Sequence, residues 1–176
     1  MVENFTSHEV GIDEIMRTRC GAAYDYWDGL RHGRFAPAWG EFKLIDLPPA
    51  VIPDMRVVDV VDDGRDFAYR FWGTGLSTVR KLDRTGMCLS EIDAQRRASA
   101  MDEYRKVLET RACIAYVCNV RPGEDRPSLH APAIRMPLSS DGKTVDKIVS
   151  LTDFTADERE WQRYYEGLGS PQGTNR

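Results

Sequence analysis

Histidine is scarce in this chain, three in 176 residues, and its four cysteines never fall at a CxxC spacing. Without such a cluster there is no sequence signature for a structural zinc site. Cys113 and Cys118 stand at odd separation, on opposite faces of any strand that reaches both, so they are expected as buried reduced thiols along with Cys20 and Cys88. No apolar run approaches the roughly 20 residues a bilayer crossing needs. Met1 to His8 has neither the basic start nor the apolar core of a secretory signal, so a cytoplasmic location is expected. A surplus of positive charge is missing too: 24 Lys and Arg face 28 Asp and Glu, a formal net charge of -4. That argues against a nucleic-acid binder working through a basic face, and local pairs such as Arg17 with Arg19 or Arg96 with Arg97 read as solvated surface.

What is present is ordinary in bulk and ordered in pattern. With 41% hydrophobic and 30% charged residues, the chain has the composition of one soluble globular domain, long enough to bury a core without staples. We expect a tail over residues 1–11, one domain over 12–168 and a frayed tail over 169–176. Apolar residues Ile12, Ile15, Met16, Ala23, Tyr26, Trp27 and Leu30 recur at helical separations and predict one helix from Ile12 to Arg31, stopped by Gly33 and Pro37. A proline-punctuated connector, Pro37 to Asp54, has too many apolar residues to be a free linker and is expected to lie on the domain, apolar side down.

From Arg56 the pattern changes. A strand over Arg56–Val61, a turn at Asp62-Asp-Gly-Arg65 and a second strand through Phe67–Thr74 predict a β-hairpin. A short helix near Leu76–Leu82 and a longer one over Ala94–Thr110 follow. Three strands close the sheet: Ile114–Arg121, Leu129–Leu138 and Val145–Phe154, linked by Pro122-Gly-Glu-Asp125 and Ser139-Ser-Asp-Gly142. Thr155-Ala-Asp-Glu158 has the form of a capping box, opening an amphipathic helix with Trp161, Tyr164, Tyr165 and Leu168.

This order of two strands, helices and three strands resembles a PAS domain, and more closely a branch of short, mostly stand-alone bacterial PAS proteins. The resemblance rests on Tyr26-Trp27, Leu30-Arg31-His-Gly-Arg34 with Pro37, and Tyr69-Arg70-Phe71-Trp72-Gly73-Thr74. It continues through Thr85-Gly86 with Leu89, then Arg135-Met136-Pro137-Leu138-Ser139 with Asp141-Gly142. The closing Asp153-Phe154-Thr155 is similar to the Asp-x-Thr that ends many PAS domains. It implies an α+β fold: a five-stranded antiparallel sheet with helices on one face and flanking N- and C-terminal helices. It also implies a non-enzymatic sensory or regulatory role that uses a small ligand, a protein partner or both. Haem-binding PAS domains take an axial histidine from the long helix before the third strand, and Ala94–Thr110 has none. Flavin PAS domains place cysteine in an Asn-Cys-Arg motif, which the surroundings of Cys88 lack. No cofactor and no metal are therefore expected.

Candidate residues divide into three groups. Tyr104, Tyr116 and His130 are polar-tipped groups on elements expected to line the inner side of the sheet, either as ligand contacts or as core residues. Arg70, Gly73, Thr74, Asp153 and Thr155 are expected to be structural: Gly73 because a side chain would obstruct the turn after the second strand, and Arg70 through a carboxylate partner or stacking on Trp72. Ile12, Ile15, Met16, Trp27 and Leu30 form the stripe of the first helix, expected to be a homodimer contact unless that helix covers its own sheet. No catalytic residue is expected. Ser128 and His130 share a face, but there is no Gly-x-Ser-x-Gly elbow and no carboxylate to orient the imidazole. The carboxylates Asp59, Asp62, Asp63, Glu91 and Asp102 have no paired spacing for acid–base work. Two other readings remain: an enzyme or carrier on a cone-shaped sheet like that of ketosteroid isomerase, and a purely structural PAS dimerisation module.

Overall fold

The computed structural model of the chain describes residues 4–80, 82–121, 128–155, 159 and 163. Its centre is one antiparallel sheet of six strands: β1 (Asn4–Val10), β2 (Met55–Val61), β3 (Asp66–Trp72), β4 (Ile114–Arg121), β5 (Leu129–Leu138) and β6 (Lys147–Thr152), in the order β1-β4-β5-β6-β2-β3. The first hairpin thus lies beside the last strand. Its turn runs through Asp62, Asp63 and Gly64, all at positive φ, where glycine and short acidic side chains are tolerated best. Helices α1 (Ile12–Ile15), α2 (Arg19–Arg31), α3 (Thr74–Arg80) and α4 (Ala94–Thr110) accompany the sheet.

Three expectations are corrected. The sheet has six strands, because residues 4–10 of the expected tail form β1 along the free edge of β4. A strand such as Thr6-Ser-His-Glu9 carries no apolar alternation, so its signal lies in backbone pairing and in contacts such as Ser7 with Ser99 (3.3 Å) and Glu9 with Lys106. The single helix over Ile12–Arg31 is two helices meeting at a corner. Thr18 caps α2 by accepting from the Cys20 amide at 3.2 Å, and a Cβ on Gly21 would sit 2.1 Å from the Met16 carbonyl oxygen. Gly21 is therefore what lets the corner close. The helical stripe also does not form an exposed seam. Ile15 and Trp27 are 1% and 2% exposed in the core of their own chain, and Ile12 and Leu30 pack at its margin.

The sheet is covered on both faces. On the outer face α1, α2 and the 37–54 connector bury Ile15, Trp27, Phe42, Leu47 and Val51 against Met55, Val57, Ile134, Met136 and Leu151. On the inner face α3, α4 and the Leu89–Glu91 turn pack on Val58, Phe67, Tyr69, Tyr116, Ala131 and Ile148. The α2 exit explains the Leu30-Arg31-His-Gly-Arg34 run. His32 and Gly33 take positive φ, and Arg34 folds back to donate to the carbonyls of Leu30 and Arg31, both at 2.9 Å. Those are orphan carbonyls that a helix end must satisfy. The expected capping box over 155–158 and the helix with Trp161, Tyr164, Tyr165 and Leu168 lie outside the described residues.

Candidate functional site

The phase of each strand decides which side chains face inward. Cross-strand register sets Trp72 of β3 opposite Arg56 of β2, Arg56 opposite Ser150 of β6, Ser150 opposite Arg135 of β5, and Arg135 opposite Ile114 of β4. Directly opposed residues share a face with Cβ atoms about 5 Å apart. A polar row therefore crosses the inner face in an otherwise apolar layer. A second row, Tyr116, Ala133 and Thr152, runs beside it.

Arg135 anchors the row and is buried. Its guanidinium donates to Glu103 Oε2 of α4 from Nε at 2.9 Å and Nη2 at 2.7 Å, and its Nη1 reaches the carbonyls of Ile134 and Leu151. Burial alone pushes the Glu103 carboxyl up, but Arg135, with Ser7 and Arg56, more than reverses this and holds it below the usual carboxylate range. For Arg135 burial works against the charge, and Glu103 more than offsets it, so the guanidinium stays protonated. The pair is a fixed ionic post joining α4 to the sheet.

Arg56 is placed differently. It is half-buried and donates to two neutral oxygens, Tyr104 Oη at 3.1 Å and Thr152 Oγ1 at 3.2 Å. No carboxylate of the described residues lies within ion-pair distance of it. Around it stand aromatic groups: the rings of Tyr69 and Trp72 meet edge to face at 4.9 Å, Phe67 and Tyr104 lie 5.0 Å apart, and Arg84 lies 5.3 Å over the Trp72 ring. Burial and the neighbouring Tyr104 push the Tyr69 hydroxyl up to about 12, so it is a neutral donor at ordinary pH. Burial does the same for Tyr116, also to about 12.

Three buried polar atoms in this layer find no partner among the described residues: Trp72 Nε1, Ser150 Oγ and Tyr116 Oη. Their residues are 7%, 0% and 5% exposed. A buried polar group left unpaired costs about 1–3 kcal/mol, and native interiors leave very few. Trp72 and Ser150 stand directly across from Arg56 on the strands to either side, and Tyr116 lies near Arg135, whose guanidinium is 5.8 Å from its ring centre.

Of the residues singled out from sequence, Tyr104 and Tyr116 belong to this inner layer. His130 does not: it projects from the outer face of β5, exposed, and shares Asn119 with His8. The expectation that it lines the inner side is therefore corrected; inward positions on β5 are the odd-numbered ones, from Leu129 to Arg135. Arg70 is the extra residue of a β-bulge, since Val57 pairs with Phe71 and Val58 with Tyr69. Its Nε donates to Asp59 Oδ1 at 2.8 Å.

Gly73 packs so closely that a Cβ would lie 2.1 Å from the Pro53 carbonyl oxygen, and Thr74 opens α3 directly behind it. Asp153 is buried and accepts from the Arg19 amide at 3.0 Å and from the amide and hydroxyl of Thr155, tying the end of β6 to the first turn of α2. Sequence reading passed over Arg56, Glu103, Ser150 and Thr152 as site residues. Their signal is polar side chains at inward positions of strands whose neighbours in the same phase are apolar.

Among the described residues no group of three His, Cys, Asp or Glu side chains could hold a metal ion, and no helix is long and apolar enough to cross a membrane. All four cysteines are free thiols, and burial pushes that of Cys20 up to about 12, which removes its thiolate reactivity. No family model matches the chain, and neither a curated protein nor a solved structure is significantly similar to it.

Proposed function

We propose that this chain is a PAS-like sensory or regulatory module whose inner-face polar row receives a small molecule. The observation that carries the reading is the trio of orphaned buried groups, Trp72 Nε1, Ser150 Oγ and Tyr116 Oη, in the layer between the sheet and α4. The architecture supports it. After β1 the chain runs two strands, helices, three strands, with α3 and α4 over the face that bears the row.

The ketosteroid-isomerase-like alternative needs an inward carboxylate able to take a proton. The inner-face Glu103 is bound by Arg135, and its lowered pKa makes it a weak base. Neither haem nor flavin belongs to the proposal, because α4 carries no histidine and Cys88 lies in Gly86-Met-Cys-Leu-Ser.

Native mass spectrometry of freshly purified protein tests the reading. A folded chain carrying a small-molecule adduct, lost on denaturation, is the expected result. Bare protein from several growth conditions, together with no thermal stabilisation by any member of a metabolite panel, would refute a ligand-binding role.

A further inference from the structure

The charge of the row points to a ligand class, on the assumption that the ligand-binding reading above holds. Arg135 is neutralised by Glu103 through two hydrogen bonds, whereas Arg56 donates only to the neutral oxygens of Tyr104 and Thr152. A guanidinium has five N–H donors, so these two contacts do not exhaust it. Register places Trp72 and Ser150 directly across from Arg56 on the strands to either side, and each carries a buried polar atom without a partner among the described residues. A guanidinium whose hydrogen bonds go only to neutral oxygens, flanked by two neutral hydrogen-bonding groups, is complementary to a planar anion, because a carboxylate matches the guanidinium fork and accepts further N–H or O–H donors. The rings of Phe67, Tyr69, Trp72 and Tyr104 around it offer apolar area to the rest of an organic molecule. Arg56 is half-buried, whereas Ser150 is fully buried.

We propose that the inner-face site binds a compact organic carboxylate, with Arg56 as its charge partner and Trp72 Nε1 and Ser150 Oγ as neutral donors.

Calorimetric titration of the full chain with succinate and benzoate, against succinamide, benzamide and inorganic phosphate, tests this. At least one acid should bind, with its amide and phosphate weaker by roughly tenfold or more, the discrimination expected for a charged hydrogen-bonded pair. Arg56→Gln should abolish the preference for acid over amide, and Arg56→Lys should restore part of it. Ser150→Ala gives an independent reading, since it removes a hydroxyl that has no partner among the described residues. It should melt no lower than the parent and yet bind the acid several-fold more weakly.

Equal binding of acid and amide, tightest binding of phosphate, no binding of either acid, or an unchanged affinity in Ser150→Ala would each overturn the proposal. The two readings fail separately. A neutral adduct in the native mass spectrum removes the carboxylate and leaves a ligand-binding module, whereas no adduct and no stabilising compound removes both.

Discussion

The two faces of the sheet each bury a tryptophan beneath an arginine, and the resemblance stops at the indole nitrogen. On the outer face, Arg31 lies 5.0 Å over Trp27, whose Nε1 donates to the Pro137 carbonyl at 2.8 Å. On the inner face, Arg84 lies 5.3 Å over Trp72, whose Nε1 finds no acceptor among the described residues. Among the described residues no buried side-chain polar atom of the outer layer lacks a partner. Ser150 Oγ and Tyr116 Oη likewise have no partner among the described residues. The outer-face indole is satisfied by the chain itself, whereas the inner face holds buried polar atoms with no partner among the described residues.

The largest effect expected is at the ionic post of the inner layer. Glu103→Ala leaves Arg135 as a buried cation without its counter-charge and should destabilise the domain by about 3–5 kcal/mol in denaturant melts. A loss below about 1 kcal/mol would mean that water or another carboxylate compensates Arg135 in the inner layer. The same pair sets an acid limit. Because the folded-state carboxyl ionises below its ordinary 4.5, the stabilisation it brings is complete above that value and is lost as the pH falls through the folded-state pKa. Glu103→Gln should flatten this part of the stability–pH curve.

The outcome depends on residues 32 positions apart in sequence, and this is where the sequence stops being informative. Elements with strong periodicity are legible to the residue: α4 at Ala94–Thr110, β4 at Ile114–Arg121 and β5 at Leu129–Leu138 lie where the pattern places them. Gly73 is legible in part: a side chain there is expected to obstruct the turn after the strand, and what it would meet is the Pro53 carbonyl of the connector. Strand β1 is hidden because its middle, Thr6 to Glu9, is polar on both faces. The inward phase of β5 is hidden for the opposite reason. Ala131 and Ala133 on one face and Ile134 and Met136 on the other are all buried, so alternation carries no signal and His130 cannot be assigned a side. Arg135 and Glu103 become a site only once register and helix docking bring them together.

A direct comparison of the tryptophans comes next in size. Trp27→Phe removes a donor from a buried carbonyl and should cost roughly 1–3 kcal/mol beyond the loss of ring volume. Trp72→Phe removes a donor that has no acceptor among the described residues, so only the volume change remains. Thermal melts of the two variants side by side should therefore rank Trp27→Phe as the more damaging. If both fall equally, Trp72 Nε1 has an acceptor in the native protein and the contrast between the faces weakens.

The smallest effect separates two arginines of one hairpin. Arg56 and Arg70 lie on adjacent strands, but the bulge at Arg70 turns it away from the inner layer, to Asp59 on the other side of the sheet. Arg70 is 46% exposed at its side chain and Asp59 27%, so water and salt screen the pair, and such pairs contribute below about 1 kcal/mol. Lys147 stands 3.7 Å from the same carboxylate and would keep Asp59 partnered after Arg70 is removed. Arg70→Ala should consequently lower the denaturation midpoint only slightly at low salt and not measurably at high salt. It should leave binding at the inner row untouched, unlike Arg56→Gln. A loss of binding in Arg70→Ala would show that the bulge positions Trp72 and Arg56 through the backbone, and the two faces could then no longer be treated as independent.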